Sequence, residues 1–416
     1  MAMSMLNTFQ QAPHAVLPIG THDERARQEF AKAMKGFIQQ GLLPGLGPVF
    51  EKRVAPRFAK AEGRAPADRH DIRKGMVADA YFQHYAAANR IAQELLWDTV
   101  LDTLDRDLPA LEAAAARLSA ASTAPLETRD DFAVPRYVSA LDIHCMPGGY
   151  AGGSSSAGGG IAAGALYDRG VYLYAMGFMG PNNDDMGRSV ANYIKRRLNG
   201  FTPTRILDMG CTCGHSTVPY KEMFPDAEVI GIDVAAPQLR YAHARAKALG
   251  HDVGFLQRDA ANTGFPDGHF DLIVSHILLH ETSGKAMPAI IRECHRLLSP
   301  GGYMIHADLP PFNLMDPFTQ FILDNETYYN NEPFWGAMRE LDQVGLATAA
   351  GFPADGVRFD TAPMAVMEFA AAAEGYSAEA SEAVADREFT AGEYAPGGGW
   401  EVLIAQKSAV ELRAAA

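Results

Sequence analysis

Hydrophobic spacing divides the chain into two textures. Within MVADAYFQHYAAANRIAQELLWDTVLDTLD, which begins at Met76, Leu96, Val100 and Leu104 recur every four residues, with Leu101 and Leu108 beside them. This spacing predicts a helix with one buried face. Pro109 suits a first helical turn, so the alanine-rich PALEAAAARLSA is expected to begin a second helix. Residues 1 to about 120 therefore read as two or more antiparallel helices. From Thr204 the pattern changes to short β-rich runs near 205–209, 228–232, 254–257, 270–275, 303–307 and 400–406. Helical stretches fall between them, for example 237–249 and 285–298, and this alternation predicts βαβ units and a parallel sheet.

Residues 147–164, PGGYAGGSSSAGGGIAAG, separate the two textures. Glycine gives up the most backbone freedom on ordering, so neither helix nor strand is expected there. A flexible connector and a cover that orders over a ligand are both open readings. Tyr167, Tyr172 and Tyr174 follow in a helical stretch and read as packing. The expected division is a helical domain over 1–165 and a second domain over 166–416, in keeping with two or three packed units in 416 residues.

Charge narrows the partners. Lys+Arg 36 against Asp+Glu 50 gives a net charge of -14, which offers no basic patch to a nucleic acid or an anionic membrane. The first residues carry no basic-then-apolar signal pattern and no run of 18 apolar residues occurs, so a cytoplasmic chain without membrane insertion is expected. Four scattered cysteines predict no disulfide framework. Cys211 and Cys213 are spaced too closely for a standard metal or redox pair, and no metal is expected.

The candidate chemistry begins at RILDMGCTCGHS, 205–216, an apolar strand running into a turn punctuated by Gly210 and Gly214 and then a helix. Such a turn lets a backbone approach a ligand. AEVIGIDV then ends a strand in Asp233, 23 residues beyond Gly210 (233 − 210), where a Rossmann-type unit places the acid that binds ribose hydroxyls. A nicotinamide enzyme would share both features. The discriminating run is GFLQRDAANTGFPDGHFDLIVSHILLHE, 254–281, with Asp259-Ala260 after a third strand and Phe270-Asp271 opening a fourth.

With these motifs in order, the chain resembles the class I S-adenosylmethionine-dependent methyltransferase superfamily, and most of all its ubiquinone/menaquinone and sterol methyltransferase branch. The resemblance covers 205–302 and continues weakly to GWEVLIAQK at 399–407. It implies a Rossmann-like α/β fold with a seven-stranded sheet whose last strand is antiparallel. It also implies that S-adenosyl-L-methionine is held by Asp208, Gly210, Cys211, Gly214, Asp233, Val234, Asp259, Ala260 and Ser275, and that S-adenosyl-L-homocysteine is the product. Asp208 would help hold the amino group, Asp233 the ribose hydroxyls and Asp259 the adenine amino group. Thr212 stands where the family commonly has glycine. SPGGY, 299–303, matches the turn before the fifth strand.

Methyl transfer from a sulfonium is an in-line displacement in which positioning does much of the work. Where the acceptor must lose a proton, His276, His280 and Glu281 at the end of the fourth strand are the candidate catalytic groups. His306 and Asp308 are further pocket-facing candidates. No Asn/Asp-Pro-Pro-Tyr motif begins near His276, which argues against a nucleic-acid adenine or protein glutamine acceptor. An acceptor-binding insertion is expected near 308–340, where Phe312, Phe318, Phe321, Tyr328, Tyr329, Phe334 and Trp335 suit either an apolar or aromatic acceptor or contact with the N-terminal helices. The expected function is methyl transfer to a small-molecule acceptor, with oxygen or carbon favoured and with homodimerisation through the N-terminal helices open. The alternatives are a regulatory module that binds the cofactor without turnover and an NAD-dependent oxidoreductase.

Overall fold

The computed structural model describes residues 10–152, 160–198, 200–367 and 399–409. Among them one sheet forms from β1 (Leu126–Glu127), β2 (Arg205–Met209), β3 (Glu228–Asp233), β4 (Gly254–Gln257), β5 (Phe270–His276), β6 (Leu298–Asp308), β7 (Val357–Pro363) and β8 (Gly399–Gln406). The order across it is β1-β4-β3-β2-β5-β6-β8-β7. β1 to β6 pair in parallel, while β8 runs antiparallel to both β6 and β7. The Rossmann-like α/β reading is borne out, with eight strands in place of seven.

The two unread strands lack a sequence signal. β1 is two residues long, and β7 alternates irregularly between buried and exposed positions. All six predicted strands form. Pairing between β5 and β6 steps from Leu298 to Tyr303, so Ser299–Gly302 loop out where the glycine turn was expected.

Helices cover both faces, as a buried parallel sheet requires. β2 shows why: Ile206 packs with α4 (Asp185–Arg197), α5 (Thr217–Met223) and α6 (Ala236–Ala248) on one face. Leu207 and Met209 point the other way, onto Met287, Ile290, Ile291 and Cys294 of α7 (Ala286–Leu297). Each fully buried aliphatic side chain of this kind contributes about 1.5–3 kcal/mol.

The N-terminal region is helical, but its main element differs from the expected pair. Residues 80–121 form one helix, α2 (Ala80–Ala121), that continues through Pro109. Pro109 and Asp105 are both exposed, so the Asp105 carbonyl that loses its helical N–H partner meets solvent. The predicted stripe is present, with Leu96, Val100 and Leu104 buried against Leu166 and Leu173 of α3 (Ala162–Tyr174). The expected domain boundary at 165/166 thus falls inside a helix. α1 (His22–Phe37) begins at a capping box, in which Thr21 and Glu24 satisfy each other's backbone N–H groups. No helix among the described residues is long and apolar enough to cross a membrane.

The glycine-rich run at 147–164 is shorter than predicted, because α3 starts at Ala162. Residues 153–159, on which the connector and cover readings fall, lie outside the described residues.

Candidate active site

The strand order reverses between β2 and β5, and a cavity opens at the carboxyl ends of these strands, where open α/β sheets bind ligands. It encloses about 1030 Å³ of unfilled space, part of it open to solvent. Asp208, Gly210, Cys211, Asp233, Val234, Asp259, Ala260, His276 and Glu281 all line it. Gly214, Ser275 and His280 do not.

The turn after β2 is built by its backbone. The N–H groups of Gly210 and Cys211 both donate to the Ile232 carbonyl (2.8 and 3.0 Å), joining the turn to β3. Gly210 has φ +70°, and a Cβ there would stand 2.6 Å from Leu278 Cδ1. Thr212 also adopts a left-handed conformation (φ +43°), unusual for a β-branched residue. Its N–H donates to Asp233 Oδ2 (3.0 Å), which helps hold it there. Gly214 faces the Phe255 ring, so its role is close packing and not cavity lining.

The carboxylates already have partners. Asp233 accepts the Thr212 N–H at one oxygen and the Ala235 N–H at the other (2.8 Å), and burial raises its carboxyl to about 6 against these donors. Asp208 accepts the Thr217 hydroxyl (2.6 Å) and pairs with His276 Nδ1 (3.2 Å). Asp259 accepts the Ala261 N–H (2.8 Å).

The histidine candidates are held by neighbouring side chains. His276 lines the cavity, but its Nε2 meets the Tyr220 hydroxyl (3.0 Å), so both ring nitrogens are engaged. His280 is buried with Nδ1 2.6 Å from Asp308. Burial lowers its pKa, yet the Asp308 carboxylate outweighs this and raises it to about 9, and the ring is turned to Asp308 and not to the cavity. Ser275 and His306 bond each other (2.6 Å) inside the core, where burial pushes His306 down to about 4. Neither His306 nor Asp308 lines the cavity. These side chains occupy the sheet face and loop that pack on α7 and on α8 (Trp335–Arg339).

Glu281 is the one proton-accepting candidate that faces the cavity without being tied down at both oxygens. Its Oε1 accepts the Tyr150 hydroxyl and lies against His144 Nε2, each at 3.0 Å. Burial opposes ionisation, but His144 outweighs it and lowers the Glu281 pKa, keeping it a carboxylate.

Much of the remaining wall comes from residues that the motifs did not reveal. Tyr137, Val138, Tyr150, Tyr167 and Val171 line the cavity from the N-terminal side, correcting the reading of Tyr167 as packing alone. Asp168, next to Tyr167, is the centre of a buried network. Its carboxylate meets Gln11 Nε2 and His14 Nε2 (both 3.0 Å), His215 Nε2 (2.9 Å), the Tyr241 hydroxyl (2.8 Å) and Arg245 Nε (3.0 Å). Burial opposes its charge, but Arg245 and His215 hold its pKa well below the usual range. His215 in turn lines the cavity. Tyr150, an aromatic side chain inside a glycine run, was the one visible signal of this wall. His144 and Asp168 carried none.

The aromatic segment after β6 resolves toward packing on the N-terminal helices. Phe318 stacks on Phe50 (5.0 Å), and Phe321 and Tyr329 meet Phe82 at 5.4 and 6.1 Å. None of the seven aromatic residues lines the cavity.

Comparison with known proteins points to one class. Residues 206–302 match a family described as a methyltransferase domain. Demethylmenaquinone methyltransferase of Thermus thermophilus is 35% identical over 137 residues, 33% of this chain and 60% of the relative. Tocopherol O-methyltransferase of Arabidopsis thaliana is 33% identical over 138 residues, 30% of this chain and 38% of the relative. A solved phosphoethanolamine N-methyltransferase 2 of Haemonchus contortus, in complex with phosphomonomethylethanolamine and S-adenosylhomocysteine, covers 58% of each chain at 17% identity and TM-score 0.40. The chain spans less than two thirds of the length of these curated relatives. The resemblance to methyltransferases is borne out over the residues that carry its motifs.

Proposed function

We propose that this protein transfers a methyl group from S-adenosylmethionine to a small-molecule acceptor. The observation that carries the proposal is that Gly210, Asp233 and Asp259-Ala260, drawn from three successive strand ends, line one cavity at the point where the sheet order reverses. In this reading Asp233 takes the ribose hydroxyls, Asp259 and Ala260 the adenine edge, and Gly210 and Cys211 border the methionine part. Asp208 acts through His276 and Thr217 to fix the end of β2.

The acceptor occupies the side walled by Tyr150, Tyr167 and Val171, surfaces suited to an apolar or aromatic molecule. Glu281 faces it and draws the proton of an acceptor hydroxyl or acidic carbon. The helical N-terminal part closes the cavity against water, which strengthens the interactions inside it. Calorimetry is expected to show S-adenosylmethionine and S-adenosylhomocysteine binding while NAD does not; the opposite preference would overturn the proposal. Incubating the protein with labelled S-adenosylmethionine and a metabolite extract then identifies the acceptor. Cofactor binding without label transfer to any acceptor would favour a regulatory module.

A further inference from the structure

At the acceptor end of the cavity the N-terminal segment brings a side chain to the sheet. His144 lies between α2 and α3, and its carbonyl is pinned by Trp97 Nε1 (2.7 Å) and Gln93 Nε2 (2.8 Å) of α2. Its ring sits between two carboxylates, with Nε2 3.0 Å from Glu281 Oε1 and Nδ1 3.0 Å from Glu332 Oε1. One ligand atom from each of these three residues lies within 4.8 Å of the other two.

Glu332 supplies an independent observation. It has no solvent exposure, and its Oε1 accepts the Asn330 amide (2.5 Å), yet its Oε2 has no hydrogen-bond partner. A buried acceptor left unpaired is costly, and more so when it is charged. The surrounding groups do not supply the missing donor. His280 gives its Nδ1 to Asp308, and its Nε2 stops 3.8 Å from Glu332 Oε2, beyond hydrogen-bond reach. Lys35 is committed to Gln93 (2.5 Å).

We propose that His144, Glu281 and Glu332 form a binding site for one divalent transition-metal ion at the edge of the cavity. One imidazole nitrogen with two carboxylate oxygens is a ligand set for ions of the zinc and manganese kind. Metal–ligand bonds of about 2.0–2.2 Å place ligand atoms roughly 3–3.5 Å apart; Nε2 keeps that spacing from Glu281 and Nδ1 from Glu332, so an ion on one nitrogen draws the other carboxylate in from within 4.8 Å. Glu281 lines the cavity, so an ion held there would sit at its edge. An acceptor hydroxyl bound there would be acidified by the ion and pass its proton to Glu281, the group that faces the acceptor. A lone pair of that oxygen would then form the new bond to the methyl carbon as the carbon–sulfur electrons pass to sulfur. This role rests on the methyl-transfer reading; binding of the ion does not.

The test is titration of the chelator-treated, untagged full chain with Zn²⁺ and with Mn²⁺, each followed by calorimetry and elemental analysis. S-adenosylmethionine affinity is measured on the same samples. The expected result is one ion per chain, with affinity weakened about 100-fold or more in Glu332→Gln, since loss of an outer-shell partner alone costs 10–100-fold. Glu332→Gln keeps the shape of the side chain. His144→Asn is a second variant, and circular dichroism checks the fold of both. A wild-type chain that binds neither ion overturns the site, as do folded variants that bind as tightly as wild type. Ion binding without cofactor binding supports the site and removes the methyl-transfer reading alone.

Discussion

Two buried polar clusters flank the cavity, and they are opposite in kind. Around Asp168 donors outnumber acceptors: a single carboxylate is surrounded by an arginine, two histidines, a tyrosine and a glutamine. Around His144 two carboxylates converge on one imidazole, and one oxygen of Glu332 is left over. The first cluster satisfies its central charge with protein groups alone and ties residues 11 and 14 to α3 and α6. The second leaves an unmet demand at Glu332, behind the Glu281 carboxylate that lines the cavity. Both clusters keep orphaned atoms, but around Asp168 these are on donor side chains (His14 Nδ1 and Arg245 Nη1), whereas at Glu332 it is a carboxylate oxygen, the kind of atom a cation would satisfy.

The largest expected effect separates the two directly. Asp168→Asn leaves Arg245 buried without its counter-charge and should cost about 3–5 kcal/mol of stability, read by denaturant unfolding. A loss below 1 kcal/mol would show that the cluster is not a staple. Glu281→Gln should behave in the reverse way, with stability within about 1 kcal/mol of wild type and turnover lowered about a hundredfold, the lower end for loss of a proton-transfer group. If Glu281→Gln instead unfolds the protein as readily as Asp168→Asn, the contrast fails.

A smaller effect belongs to the cofactor side. Asp233→Ala should weaken S-adenosylmethionine binding by about 1.5–3 kcal/mol, the scale of hydrogen bonds to a charged group. Unchanged affinity by calorimetry would remove the ribose assignment. Since the Asp233 carboxyl is raised to about 6, cofactor affinity should fall as pH drops through that value, approaching tenfold per unit in wild type and not in the alanine variant. Folding responds with the opposite sign: the folded state holds this proton more tightly, so the residue's stabilising contribution is present below 3.8 and lost as pH rises to about 6. The smallest effect is that of Ser275→Ala, which should cost about 1 kcal/mol through its bond to His306 and leave cofactor affinity unchanged. A weakened cofactor would return Ser275 to the cavity wall.

What could be read from sequence follows from where the information is local. Strands β2 to β6 announce themselves as apolar runs, and Gly210, Asp233 and Asp259 sit at fixed offsets from their ends, so half of the cavity was legible. Ser275, His276 and His280 lie on one short stretch and were read as a group. The pleat and the following turn send them apart, to His306, to Asp208 and Tyr220, and to Asp308. The opposite wall depends on contacts between residues more than 100 positions apart, such as Tyr150 with Glu281 and His144 with Glu332, and no spacing rule reaches that far. Pro109 misled for a related reason. Proline breaks a helix when its lost partner is buried, and here that partner is in solvent.

The two-residue strand β1 carries a consequence beyond completing the sheet. It sits on the outer side of β4, and Pro125 receives the Phe255 N–H next to it (2.9 Å). An open parallel sheet otherwise ends in a row of unsatisfied backbone groups that can recruit a strand from another molecule. The N-terminal segment thus acts as a guard on that border. Cutting the catalytic part free would remove this guard as well as one wall of the cavity, and the isolated fragment would be prone to self-association.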